Sequence, residues 1–299
     1  AFSAKPYPDP DCPPHFYAHG HNSQYRHFGA LMNYLNRMCA LINDGTRITP
    51  AAILYHAEAE WSGDYMLSQK PARVLMDNQI DFDILPSDVF AERDRYKTNI
   101  GKQLSVNSQA YKALIIPYAQ FITADSAEAV IQLKKAGFPV IFIDDLPIGV
   151  VDGDNKLLGE LSHCKVVTLD ALVNELKKSS IPELHVEPAF PMLRYLHYRD
   201  DNDIYLFTNE NMAETFCGKI TIPMTGPVYG YDAWRNELYY IKAEENGENT
   251  TLYLEIPPYQ SVVVVFDKAD GVELKTPIRC DEELLLKDGW IMSLCTAKE

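Results

Sequence analysis

His56, Glu58, Glu60 and Trp61 stand within six residues of one another in the stretch Ala51-Ala52-Ile53-Leu54-Tyr55-His56-Ala57-Glu58-Ala59-Glu60-Trp61-Ser62-Gly63. If residues 51 to 60 stay extended, the imidazole and both carboxylates share one face with Leu54. Such a face suits acid/base work or the binding of sugar hydroxyls, with the indole as an apolar platform. The same groups can instead satisfy the backbone donors of a loop, and the residue types alone leave both readings open.

Other chemistry finds less support. A cysteine nucleophile of the glutamine amidotransferase kind needs a tight Gly-rich elbow after a central strand. Here Ala113 to Ile116 runs into Pro117-Tyr118-Ala119-Gln120-Phe121, with neither Cys nor Gly, so no thiolate is assigned. Trp61-Ser62-Gly63-Asp64 carries a single Gly, too few to cradle a phosphate, which leaves nucleotide and flavin cofactors unsupported. His15, His19, His21 and His27 lie near Asp9 and Asp11, but their spacing matches no zinc motif. Asp200-Asp201-Asn202-Asp203 lacks the glycine and distal Glu of a calcium loop and reads as a solvated hairpin. Cys12, Cys39, Cys164, Cys217, Cys280 and Cys295 are far apart and read as free thiols. The expectation is therefore no cofactor, no metal and no assignable catalytic residue.

The elements that must position these groups follow from periodicity. From Asn22 to Asn43 the apolar residues Phe28, Leu31, Met32, Leu35, Met38, Cys39 and Ile42 form one helical stripe, with Asn22 or Ser23 as cap and Asp44-Gly45 as stop. From Ile48 to about Ser180, strand and helix alternate. Residues 51–60, 79–86, 111–117, 138–143 and 165–168 read as buried strands. A short helix with Ala72, Leu75 and Met76 facing inward, a helix from Ser126 to Ala136 ended by Gly137, and one capped by Asp170 through Lys178 read as crossovers, with a hairpin turn at Val151 to Asp154. Five such strands imply a flavodoxin-like three-layer α/β sandwich, with chemistry at the carboxyl ends of the strands. After Pro182, seven short strands (193–198, 204–208, 218–222, 228–232, 237–241, 250–256 and 261–266) imply an antiparallel β-sandwich. Gly289 to Leu294 reads as a strand with nothing after it to pair with. The expected division is 1–46, an arm and long helix; 47–182, the flavodoxin-like domain; 183–270, the β-sandwich; and 271–299, a linker and the start of a further domain.

Hydrophobic residues make up 46% of the 299 with only 15 Gly, a composition that supports packed cores. Lys plus Arg number 27 against 42 Asp plus Glu, a formal charge of −15, which makes nucleic acid and anionic membrane poor partners. The most apolar run, Ser261 to Phe266, is far too short to span a bilayer. The compartment stays open.

Several phrases resemble a known family. Pro13-Pro14-His15-Phe16-Tyr17-Ala18-His19-Gly20-His21-Asn22-Ser23-Gln24-Tyr25-Arg26 with its helix resembles the last strand-loop-helix of a glycoside hydrolase (β/α)8 barrel. Tyr55 to Trp61 with Gln79 to Phe90 is similar to the amidotransferase-like domain of family 42 β-galactosidases, called the trimerisation domain, and of large rhamnosidase-like hydrolases. Asp203 to Glu210 and Ile256 to Val262 resemble the β-domain that closes such enzymes. The resemblance covers roughly residues 13 to 268 and implies the non-catalytic C-terminal region of a bacterial glycoside hydrolase. That region would scaffold a homo-oligomer and reach carbohydrate through the parent enzyme, with His56, Glu58, Glu60 and Trp61 as candidate substrate contacts at the active-site mouth. Glycoside cleavage needs two carboxyls across the scissile bond, and in these families they come from earlier barrel strands. The alternative is a stand-alone carbohydrate-binding or interaction module using aromatics such as Tyr229, Tyr231 and Trp234, which read equally as alternating strand packing.

Overall fold

The computed structural model describes residues 25–266, 274–275, 289 and 291–293. They fall into two compact units. The larger contains residues 44–230 and 241–266, and the smaller contains the described parts of 25–43, 231–240 and 271–299.

In the larger unit, β1 (Ala51–Tyr55), β2 (Phe82–Pro86), β3 (Ala113–Ile116), β4 (Val140–Ile143) and β5 (Lys165–Val167) form a five-stranded sheet in the order β2-β1-β3-β4-β5, every neighbouring pair parallel. The near-continuous Val, Ile, Leu and Ala runs follow from burial on both faces. Ala51 and Ile53 point into one core with Leu75, Leu172 and Leu176, while Ala52 and Leu54 point into another with Phe90, Val130 and Leu133. Helices therefore cover both sides. After β1 the chain runs to β2 at one edge and returns across the sheet to β3. The two crossovers leave in opposite directions, and a crevice opens between the carboxyl ends of β1 and β3.

The crossovers depart from the sequence reading at several points. Extension stops at Tyr55, and α1 (Ala57–Ser62) follows, so His56, Glu58 and Glu60 do not share a strand face. Helix α2 (Gln69–Asp77) buries Ala72 and Leu75 but leaves Met76 exposed. Residues 99–111 form a small three-stranded antiparallel meander, Asn99–Ile100, Leu104–Val106 and Gln109–Tyr111, that alternation did not reveal. Helix α3 (Ala124–Lys135) ends at Gly137, whose φ of +80° suits glycine. Val151 to Asp154 is not a hairpin: Gly149–Val150 pairs in parallel with Phe121–Ile122, and Asp152 Oδ1 accepts the Ala124 amide at 2.8 Å, capping α3 from outside. Asp170 does not cap α4 (Leu172–Lys178). The Leu169 amide entering that turn goes to Asp144 Oδ1 at 3.2 Å instead.

From His185 the unit is antiparallel. Strands Leu193–Arg199, Asp203–Asn209 and Ser261–Phe266 lie side by side, with Thr46–Arg47 added at the edge. A second sheet, His185–Glu187, Phe216–Ile222, Asn249–Ile256 and Ala243–Asn246, faces it. Tyr205, Phe207, Val264, Phe216, Ile220, Leu252 and Leu254 from both sheets share one core, a β-sandwich. The short strands at 46–47, 185–187 and 243–246 lack enough alternating residues to stand out in the sequence.

In the smaller unit the helix Phe28–Leu41 buries none of its residues. Its Arg37 Nη1 donates to the carbonyls of Ala233 at 2.8 Å and Trp234 at 2.9 Å, and Tyr34 stacks on Trp234 at 4.3 Å between centroids. The expected caps Asn22 and Ser23, and His15, His19 and His21, lie outside the described residues. Gly289 and Ile291 to Ser293 are not in a strand.

One polar network sits inside the sandwich. His197, 1% exposed, directs Nδ1 at Glu183 Oε1 and Nε2 at Asp203 Oδ1, the latter at 2.7 Å, and its ring stacks on Tyr205. Glu183 also accepts from the hydroxyls of Tyr195 at 3.3 Å and Tyr205 at 3.2 Å. Replacing His197 by Ala removes the partner of a buried carboxylate and is expected to cost about 3–5 kcal/mol. Guanidinium unfolding checks this, and an unchanged midpoint would show that the network adds no stability.

Candidate functional site

The carboxyl ends of β1, β3 and β4 converge where the crossovers diverge, and the sequence-predicted residues gather there with unlike surroundings. His56, the first residue after β1, is 5% exposed and packs with Ile116, Pro117, Ala119, Phe121, Phe142 and Pro147 around a narrow gap. The space is too narrow for a water molecule. Neither ring nitrogen has a hydrogen-bond partner among the described residues. Burial pulls the imidazole down to about 4, outweighing the Glu58 charge and the Pro117 carbonyl, which favour a proton. At neutral pH His56 is an uncharged ring in an apolar plug.

Glu58, in the first turn of α1, accepts a hydrogen bond from Ser87 Oγ at 2.9 Å, and Ser87 in turn is tied through its amide to the Tyr55 carbonyl. That carboxylate fastens the loop after β2 to the end of β1. Glu60 has no partner among the described residues, and Trp61 is 82% exposed. The helix has therefore split the cluster: His56 faces inward, Glu58 bridges two strand ends, and Glu60 and Trp61 meet solvent.

The loops that carry these groups are paired backbone to backbone. Tyr65 bridges Ala119 in antiparallel fashion, Met66 N donates to the Tyr118 carbonyl at 2.7 Å and Gln120 N to the Asp64 carbonyl at 2.8 Å. Ile148 N then donates to the Gln120 carbonyl at 2.9 Å, which continues into the pairing of 149–150 with 121–122. Gln120 Oε1 accepts the Asp64 amide at 3.1 Å. Phe121 is wedged between two glycines: a Cβ on Gly63 would lie 2.2 Å from Gln120 Oε1 and 2.8 Å from the ring, and one on Gly149 would lie 2.7 Å from it. Both glycines are required by close approach. Three loops thus form one small platform, from which Trp61, Tyr65 and Ile148 project into solvent.

Sequence reasoning missed Asp64, Tyr65, Gln120 and Ser87 as members of this site. Gly63 and Gly149 were the available signal, since isolated glycines in such loops mark close backbone approach. Trp234 packs against Tyr34, and the Tyr231 hydroxyl donates to Asn236 Oδ1 at 2.8 Å, contacts of a packed hairpin. Among the described residues no group of three His, Cys, Asp or Glu side chains is placed to hold a metal ion. No described helix is long and apolar enough to cross a membrane.

No family model matches this sequence, and no curated protein does. Solved structures do. The rhamnosidase from Novosphingobium sp. PP1Y matches with a TM-score of 0.61 at 16% identity, over 86% of this chain and 26% of that one. The β-galactosidase from Bacillus circulans sp. alkalophilus gives 0.54 at 13%, over 85% and 46%. A GH42 β-galactosidase from G. stearothermophilus gives 0.51 at 9%, over 81% and 44%. The chain shares its fold with part of these glycoside hydrolases. It spans between about a quarter and just under half of their lengths. The resemblance to family 42 β-galactosidases and rhamnosidase-like hydrolases, read from phrases of the sequence, holds at the level of fold.

His56 gives the site a measurable signature. Its folded value near 4 lies below the ordinary 6.5, so the unfolded chain takes up the proton first as pH falls. The neutral ring's stability is fully present above about pH 6.5 and lost progressively towards pH 4, roughly 2 kcal/mol between pH 7 and pH 5. Comparing urea unfolding of the wild type with His56→Leu at both pH values checks this. An identical pH dependence in the two proteins would place the acid sensitivity elsewhere.

Proposed function

We propose that this chain is the non-catalytic scaffold region of a glycoside hydrolase, in which residues 47–182 form a flavodoxin-like domain and residues 183–270 a β-sandwich. The observation that carries the reading is the fold likeness, which extends over most of this chain and less than half of each glycoside hydrolase it matches. The strand order β2-β1-β3-β4-β5 supports the flavodoxin-like assignment, because it is the doubly wound order with one switch point.

The site supports a role other than bond cleavage. A glycosidase needs a proton donor and a second carboxylate facing each other across the sugar. Here Glu58 is engaged by Ser87, and His56 is enclosed without a partner. The end of β3 carries Pro117 in place of a nucleophile. In this reading Glu60 and Trp61 line the mouth of a catalytic centre supplied elsewhere in the enzyme. Its second task is association of subunits, supported by the resemblance to a trimerisation domain and by a long helix that buries none of its residues.

The chain is expected to release no nitrophenol from aryl glycosides of galactose, rhamnose, glucose or xylose. It is also expected to sediment as a species larger than one chain at micromolar concentration. Turnover abolished by Glu58→Gln or Glu60→Gln would sink the non-catalytic reading, and sedimentation as a single chain throughout would sink the association.

A further inference from the structure

The loops after β1, β3 and β4, residues 56–68, 117–123 and 144–155, contain no Lys or Arg. They carry Glu58, Glu60, Asp64, Asp144, Asp145, Asp152 and Asp154, and the formal charge of the whole chain has the same sign. The one imidazole among them, His56, adds no positive charge at neutral pH. Above this acidic ground the platform presents Trp61 at 82% exposure, Tyr65 at 42% and Ile148 at 66%.

The backbone that carries these aromatics is tied down. Trp61 sits on α1, which packs on strand Phe121–Ile122 and is closed by Ser62 Oγ donating to the Glu58 carbonyl at 2.5 Å. Tyr65 is fixed by its bridge to Ala119. Rigid presentation lowers the ordering cost of binding, and a flat exposed indole is the side chain that stacks on the apolar face of a pyranose. The carboxylates of Glu60 and Asp64 have no hydrogen-bond partners among the described residues. Both stand one to three residues from Trp61, where ionised carboxylates can only accept hydrogen bonds. A sugar ring offers what they lack, a set of hydroxyl donors around an apolar face. Uronates and sulfated sugars bring anions, which this surface repels.

We propose that the Trp61 platform is a binding subsite for uncharged glycans, with Trp61 as the stacking face and Glu60 and Asp64 as acceptors for the sugar hydroxyls. Gln120 holds the Asp64 loop in register and acts as a positioning residue. The inference rests on the glycoside hydrolase reading above and narrows its substrate to neutral chains.

The experiment is isothermal titration calorimetry on the full chain with neutral galacto-, cello- and xylo-oligosaccharides. Oligogalacturonate, sulfated galactan fragments and an oligolysine peptide serve as the other arms. At least one neutral oligosaccharide is expected to bind, with the acidic ones at least roughly tenfold weaker and little change between low and high salt. Trp61→Ala is expected to lose at least tenfold in affinity, Trp61→Tyr to recover part of it and Glu60→Gln to lose severalfold. Trp234→Ala serves as control and stays at wild-type affinity. All these side chains are surface groups, and unchanged circular dichroism confirms that the variants fold.

Four results would overturn the inference: no binding of any neutral oligosaccharide, neutral binding that survives Trp61→Ala, tighter binding of acidic glycans, or salt-sensitive capture of oligolysine in place of sugar. Its failure is separable from failure of the scaffold reading. Absence of glycan binding in a chain that self-associates without turnover removes the subsite and leaves the scaffold. Turnover by the chain itself, with Trp61-dependent binding, removes the scaffold and leaves the subsite.

Discussion

The larger unit depends on how its parallel sheet is joined to its sandwich, and Arg47 is at the centre of that joint. Arg47 lies in strand Thr46–Arg47, paired opposite Tyr198 at the sandwich edge, four residues before β1 begins. Its guanidinium grips Asp81 bidentately and reaches Asp83 Oδ1 at 3.1 Å, both at the start of β2, while Tyr111 donates to Asp83 Oδ2 at 2.9 Å. Burial works against that charge, but the hydrogen bond and charge of Asp81 outweigh it and hold the guanidinium protonated. Gln79 adds a second fastening, donating to the carbonyls of Phe190 and Leu193 at 3.0 Å each. Both act at the amino ends of β1 and β2, so the carboxyl ends, where the platform lies, stay free of the joint.

The larger architecture was legible because long apolar runs and alternating runs differ in period, and burial on two faces or one produces that difference. The runs Ala51–Leu54, Ala113–Ile116 and Val140–Ile143 are buried throughout, and Ser261–Phe266 and Asn249–Ile256 gave the sandwich. Strand order was not written in any one strand. It depends on which edge each crossover selects, and short pieces such as Thr46–Arg47 and His185–Glu187 carry too few residues to show a period. Asp170 was misjudged for a related reason. A capping oxygen is a local signal, but the Leu169 amide found a carboxylate 25 positions away in sequence.

The geometry at the end of β1 was not legible in the sequence. Alternation at His56, Glu58 and Glu60 is a strand signal only while the backbone remains extended. Two alanines and two glutamates are good helix formers, and one turn of helix rotates Glu58 and Glu60 away from each other and from His56. A period of two thus became a helix start, and the one face expected from extension became three environments. The glycines at 63 and 149 carried information about the platform that only acquires meaning beside Phe121, since their small size matters through what approaches them.

The same ring explains why chemistry, in this reading, sits outside the crevice. In a doubly wound sheet the switch point is the natural depression for a ligand. Here Phe121, pressed between Gly63 and Gly149, fills it together with Ile116, Phe142 and Pro147, and leaves His56 too little room to meet water or substrate. The filled crevice gives the three loops above it a solid floor. That floor supports a six-residue helix, too short to be stable in isolation, which carries Trp61 into solvent. The neutral state of His56 belongs to the same design: a charged ring under the platform would need water to solvate it, and admitting water would loosen the packing beneath α1.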